Sequence, residues 1–212
     1  MVLLRLSLVR VAPTYEQLAG ELALTKSEIH ASLERASMAQ LVRKPPKDGV
    51  LGAHTAKGTI VLVRPSFTEF AVHGAAYVYP AVRGEVMRGM PTGYAAPPLS
   101  AVIVPPSAAL EPPPVWPDAA GTVRGCALFP LYPSVPIAAL RLPALYELLT
   151  LFDALRAGSA RERALARTML HDCLSARADG HGQPKLVFAS NGHVIATAAR
   201  DKSFRAVLRQ AD

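Results

Sequence analysis

Apolar positions Leu3, Leu4, Leu6, Leu8 and Val11 predict a first helix over Val2–Val11, with Arg5 and Arg10 facing water and Pro13 ending it. Thr14 stands three residues before Gln17, and Thr25 three before Glu28. Both are capping-box spacings, in which the threonine hydroxyl accepts a backbone N–H and the longer side chain reaches back to the cap. They predict a short helix through Leu22 and a second running to about Met38, separated by one turn. Leu41–Lys44 and Thr59–Val63 are β-prone runs joined by a segment rich in Pro, Gly, Lys and His, and they read as a hairpin. Between Pro65 and Pro80, Phe67, Phe70, Ala71, Gly74 and Tyr77 recur at helical intervals, with Ser66 placed as an N-cap.

From Arg83 to about Pro143 the pattern changes. Pro97-Pro98, Pro105-Pro106, Pro112-Pro113-Pro114, Pro117, Pro130, Pro133 and Pro136 exclude long helices, because proline lacks the N–H donor and fixes φ. Ala101–Val104 and Val123–Leu128 survive as short apolar runs, expected as edge strands or extended packing segments. The run retains Trp116 and many aliphatics, so it is expected to wrap over a core. Helical periodicity returns with Leu145, Leu148, Leu149, Phe152 and Leu155 in Leu142–Ala157. Gly158 marks a break, and Ser159 caps a further helix carrying Leu165, Met169 and Cys173. In the tail, Leu186–Phe188 and His193–Ile195 flank Asn191-Gly192, a hairpin signal.

A chain of 212 residues, 50% hydrophobic and 18% charged, is long enough for two small domains and apolar enough for a real core. Apolar runs fall short of the roughly 18 residues that a spanning helix needs, so no membrane segment is expected. The apolar N-terminus lacks a small-residue cleavage site and reads as part of the mature protein. Cys126 and Cys173 have no CxxC spacing, which fits a reducing cytoplasm better than a disulfide framework. The net charge of +7 favours polyanionic partners and permits nucleic-acid binding without requiring it.

The stretch from Tyr15 to Ala36 concentrates the chemistry. Ala19 is a small residue for a close helix crossing, and Leu18, Leu22, Leu24, Ile29 and Leu33 are apolar pins. This segment resembles the helix-turn-helix of bacterial winged-helix transcriptional regulators, the multiple-antibiotic-resistance (MarR-like) type among them. The likeness covers about a quarter of the chain and departs at the turn, where Ala23 stands in place of the frequent glycine. It implies that the second helix enters the major groove, presenting Thr25, Lys26, Ser27, His30 and Ala31. Lys26 and Arg35 are then candidates for phosphate contacts, and Ser27 and His30 for base edges. Glu34 repels phosphate unless it pairs with Arg35, Lys26 or a cytosine amino group. Arg43, Lys44, Lys47 and Lys57, with His54, suit a wing lying along the DNA backbone.

Other constellations weigh less. His171, Cys173, His181 and His193 lack metal-site spacing apart from His171-x-Cys173, so neither a metal nor a cofactor is expected. The segment from Arg83 to Pro98, dense in Arg, Gly and Pro, is read as a rigid connecting loop, with ligand or partner binding as the alternative. No Gly-rich phosphate loop, nucleophile elbow, HExxH or paired-carboxylate signature occurs, and no enzymatic activity is expected. The expected fold class is α/β (α+β). A winged helix-turn-helix at 1–80 binds double-stranded DNA, and a proline-rich, helical region at 81–212 ends in a β-hairpin and serves dimerisation or partner binding. The expected function is a repressor or autoregulator acting as a homodimer, with Leu142–Ala157 and Ser159–Ala176 as candidate dimer helices. The alternative is an antitoxin whose winged helix is a scaffold or promoter-binding element, since abortive-infection antitoxins share this broad layout.

Overall fold

The computed structural model describes residues 1–44, 60–104 and 112–176, and the backbone of 186–188 and 194–196. The chain is mixed α/β. α1 (Val2–Ser7) stops four residues before the expected Val11. The Arg64 guanidinium donates to the carbonyls of Ser7 and Val9, each at 3.1 Å, and the Ser7 carbonyl is the acceptor a longer helix would need. Arg5 does not face water as expected. It is buried and forks onto Glu21 of the next helix, Nε to Oε2 at 2.8 Å and Nη2 to Oε1 at 2.9 Å, a bidentate geometry that fixes α1 on α2.

α2 (Tyr15–Leu22) and α3 (Lys26–Met38) carry both expected capping boxes. Leu18, Leu22, Ile29 and Leu33 have no exposed surface and pin the pair together. A turn through Gln40 (φ 57°) leads to β1 (Val42–Arg43), which pairs antiparallel with β2 (Val61–Leu62). α4 (Arg64–Glu69) follows with Val63 at its N-cap and Pro65 in its first turn, so Ser66 lies inside the helix and is not the cap. A π-helical turn, Phe70–Gly74, then leads into α5 (Ala75–Val78). Its wider turn rotates the apolar stripe: Ala75 is buried, while Tyr77, expected on the inner face, is 87% exposed.

The Arg-Gly-rich segment expected as a loop forms β3 (Arg83–Pro91), a nine-residue strand. β3 is antiparallel to β4 (Pro114–Pro117) through Gly89–Pro91 and to β5 (Val123–Leu128) through Arg83–Gly89. β4 and β5 pair in parallel, so the three strands close on one another. Closure requires Gly89 and Gly125: a Cβ on either would collide with the carbonyl oxygen of Trp116 or Pro113 respectively. Val123–Leu128 is thus a strand as anticipated, whereas Ala101–Val104 is not: it begins on the 3₁₀ turn Leu99–Ala101 and continues without strand pairing. Of the tail hairpin, β6 (Leu186–Phe188) and β7 (Val194–Ala196) pair antiparallel, and Asn191-Gly192 lies outside the described residues.

α6 (Val135–Arg141), α7 (Pro143–Ala157) and α8 (Ala160–Ala176) complete the fold, with Ser159 capping α8 through the Glu162 N–H. α7 is the shared wall. It packs against α1, α5, α6, α8 and the 3₁₀ turn Gly93–Ala95, and every residue from Leu148 to Leu155 is buried. α8 turns Ala166, Leu170 and Leu174 inward and shows Arg161, Arg163, Arg167, His171 and Asp172 to solvent. On α8 Leu165, Met169 and Cys173 flank the inner face and are half-buried. The core joins α1–α5 and α6–α8 in one cluster, in which each fully buried leucine contributes roughly 1.5–3 kcal/mol.

Asp153 on α7 is the polar pin of that core. Its Oδ2 accepts from Trp116 Nε1 at 2.5 Å and Thr92 Oγ1 at 2.9 Å, and its Oδ1 accepts from Arg156 Nη1 at 3.0 Å. Burial pushes its carboxyl up to about 6, against the lowering by Arg156, Trp116 and Thr92. Asp153→Ala strands these three donors, each orphan costing roughly 1–3 kcal/mol, and is expected to lower the urea midpoint by about 3 kcal/mol or more in stability. Because the folded state holds this proton more tightly than the unfolded chain, the contribution of Asp153 grows as pH falls through about 6 and levels off below its ordinary range near 3.8. That component of the stability–pH curve should be missing from Asp153→Ala.

Candidate nucleic-acid interface

The outer face of α3 gathers most of the expected site. Thr25, Lys26, Ser27, His30 and Arg35 are all exposed, and Arg43 on β1 is exposed beside them in the fold. The face exists because Ile29, Leu33 and Ala36 take the opposite side of the helix into the core. Lys47 and Lys57, together with His54, lie outside the described residues; β1 and β2 mark the two ends of that segment.

The turn before α3 is fixed by backbone and cap. Ala23 closes α2 in the left-handed region (φ 51°, ψ 48°), with its N–H on the Ala19 carbonyl. The Leu24 N–H reaches the same carbonyl at 3.0 Å. An alanine there carries the Cβ strain that a glycine avoids, which is why glycine is the frequent choice. Thr25 is fully engaged as the cap of α3: its Oγ1 accepts the Glu28 N–H at 3.2 Å and donates to Glu28 Oε2 at 2.8 Å. It is therefore a positioning residue for the helix, with its hydroxyl already bonded.

Several cations of the face have acidic neighbours. Lys26 Nζ lies 3.0 Å from Glu16 Oε1 of α2, both strongly exposed. Glu34 has cationic neighbours of its own on this face. It takes His30 Nε2 at 3.3 Å and the ammonium of Lys44. His30 also stands edge-on to Tyr15, with ring centroids 6.2 Å apart. Exposed pairs of this kind contribute roughly 0–1 kcal/mol each, so a phosphate can take over either cation at little expense. Ser27, Arg35 and Arg43 have no bonded partner among the described residues.

Sequence reasoning missed the segment that leads into α6. The Tyr132 hydroxyl donates to Glu28 at the start of α3, Ser134 Oγ donates to the Leu22 carbonyl at 2.8 Å, and Arg141 donates to the Gly20 carbonyl. The α2–α3 turn is held from outside by residues more than 100 positions away. Tyr132's hydrogen bond, followed by those within the Thr25 cap, holds the Glu28 carboxyl below its ordinary range, and Glu28 in turn raises the Tyr132 hydroxyl. No local pattern announces such contacts; Ser134 and Tyr132 lie between prolines that signalled only the absence of helix.

Among the clefts in the described residues are two on elements other than α3. The smaller, about 80 Å³, lies between α1 and β2 and is lined by Leu6, Ala12, Ile60 and Leu62 among others. The larger lies on the β3–β5 ribbon. Neither involves Asp153, whose raised carboxyl is enclosed by its partners. No group of three metal-ligating side chains occurs among the described residues, and no helix there is long and apolar enough to cross a membrane. No family model, curated protein or solved structure matches the chain.

Ala23→Gly tests the geometry of the turn. Removing the Cβ from the left-handed position should stabilise the protein by about 0.5–1 kcal/mol, read as a higher urea midpoint at unchanged slope. A loss of stability would contradict the left-handed cap.

Proposed function

We propose that the chain is a DNA-binding regulator that lays α3 in the major groove, with a winged helix-turn-helix formed by α1–α3, β1 and β2. The observation that carries this reading is the doubly capped α2–α3 pair. It sets a rigid helix of 13 residues with an exposed, hydroxyl- and cation-bearing outer face directly before a two-stranded ribbon. Ser27 and His30 are the candidate base readers, and Lys26, Arg35, Arg43 and Lys44 the candidate phosphate contacts, with Lys47 and Lys57 as further wing cations. The chain's net charge of +7 supports the same partner. A homodimer matches two-fold operators, since one small module buries little surface on DNA. α7 is packed inside the fold, which leaves the solvent-facing side of α8 as the part of the two expected dimer helices open to a second copy.

A second reading, a protein-interaction role such as the neutralising half of a toxin–antitoxin pair, is favoured by a different observation. Tyr77, Val78, Tyr79 and Val82 form an exposed apolar run, and the Phe129 N–H bonds the Val82 carbonyl, which brings a further exposed aromatic to it. The two roles are compatible.

Titration against the upstream intergenic DNA and against a scrambled duplex of equal length, at two salt concentrations, tests the DNA reading. Tighter, salt-sensitive binding to the upstream duplex is expected. Arg35→Ala and Arg43→Ala should each reduce the slope of log K against log salt by about one unit. Equal weak binding to both duplexes, with unchanged slopes, would leave only non-specific charge and turn attention to the protein partner.

A further inference from the structure

The β3–β5 ribbon carries an electrostatic arrangement that the fold does not explain. Arg88 and Arg124 are direct partners across the antiparallel pair, so their side chains leave the same face side by side. Like charges in this register are destabilising. Both are exposed, and neither has a hydrogen-bonding or ionic partner among the described residues. The nearby acids do not relieve them. Glu85 forms no ion pair among the described residues, and Asp118 accepts the Ala120 N–H at 2.9 Å. Arg83, the third arginine of the strand, donates to the Ala157 carbonyl at the end of α7.

The two arginines line one cleft of about 200 Å³, together with Val86, Met87, Thr122 and Val123. Thr122 is exposed and adds a hydroxyl, and Val86, Met87 and Val123 add apolar wall. The strands of the ribbon approach so closely at Gly89 and Gly125 that neither tolerates a Cβ.

We propose that this cleft binds a phosphate monoester carried on a small molecule. Two adjacent guanidinium groups match the charge of roughly −1.5 to −2 on such a group better than the single charge of a carboxylate, and their forks fit its oxygens bidentately. A dianionic group placed between Arg88 and Arg124 offsets their mutual repulsion. The site is independent of α3, and its binding is measured with no DNA present.

Isothermal titration of the full chain with adenosine 5′-monophosphate, inorganic phosphate and a tetraglutamate peptide tests the assignment. The monophosphate should bind in a salt-sensitive manner, and about tenfold or more weakly to Arg88→Gln and to Arg124→Gln. Tighter binding of the monophosphate than of phosphate assigns the apolar wall to the carrier; equal binding would contradict a carried monoester and leave a site for free phosphate. Without ligand, each glutamine variant should melt about 1–2 °C higher than the parent, because one of two opposed charges is gone. Absence of binding by the parent chain, equal binding of tetraglutamate, unchanged affinity in both variants, or a lower melting temperature of the variants would overturn it.

Discussion

Asp153 is a buried carboxylate on which the strands, α7 and the connection from β5 to α6 converge. Through Trp116 and Thr92 it holds the strands to α7, and through Arg156 it reaches the Phe129 carbonyl, where the chain leaves β5 for α6. Two opposed terms set its state. Burial raises the carboxyl, Arg156 and the two neutral donors draw it back, and the balance leaves it at about 6, above the ordinary carboxylate range. A buried pair of this kind contributes little net stability, but its disruption is costly, which makes it a device for fixing one arrangement of sheet and helix. The leucines of α7 supply the apolar stabilisation on which that arrangement rests.

The fixed arrangement bears on the α2–α3 pair. Because α6 is positioned by α7 and by the strand before it, Tyr132, Ser134 and Arg141 meet the α2–α3 turn at defined places. They take the Gly20 and Leu22 carbonyls near the end of α2 and one carboxylate at the start of α3. A free-standing helix-turn-helix of this size would rely on its own apolar pins and caps. Here the remainder of the chain adds polar restraints, so the orientation of α3 is set by the whole core and not by the short module alone.

How legible this was in the sequence depended on the range of the forces involved. Caps at Thr14, Thr25 and Ser159 act over three residues and were readable, as were α2, α3, α7 and α8, whose apolar stripes are periodic. Arg5 was misread because its partner Glu21 lies on another helix, and α1 ended early because Arg64, more than 50 residues away, takes its carbonyls. Gly and Arg made Arg83–Pro91 look like a loop, when the glycines are there for close strand contact. The π turn at Phe70–Gly74 rotated Tyr77 outward without leaving a mark on the periodicity. At the candidate interface the exposed residues of α3 were legible, but their pairing with Glu16 and Glu34 and the Tyr132 contact were not, since these follow from tertiary placement.

The assignment of α3 as the DNA-reading element is tested most directly by amide chemical-shift mapping of the isotopically labelled chain mixed with duplex DNA from its upstream region. The account predicts that the largest changes fall on residues 25–35 and on Arg43 and Lys44, and that they persist with upstream DNA at a salt concentration where a scrambled duplex no longer produces them. Changes confined to the β3–β5 ribbon or to α8, with α3 silent, would contradict it.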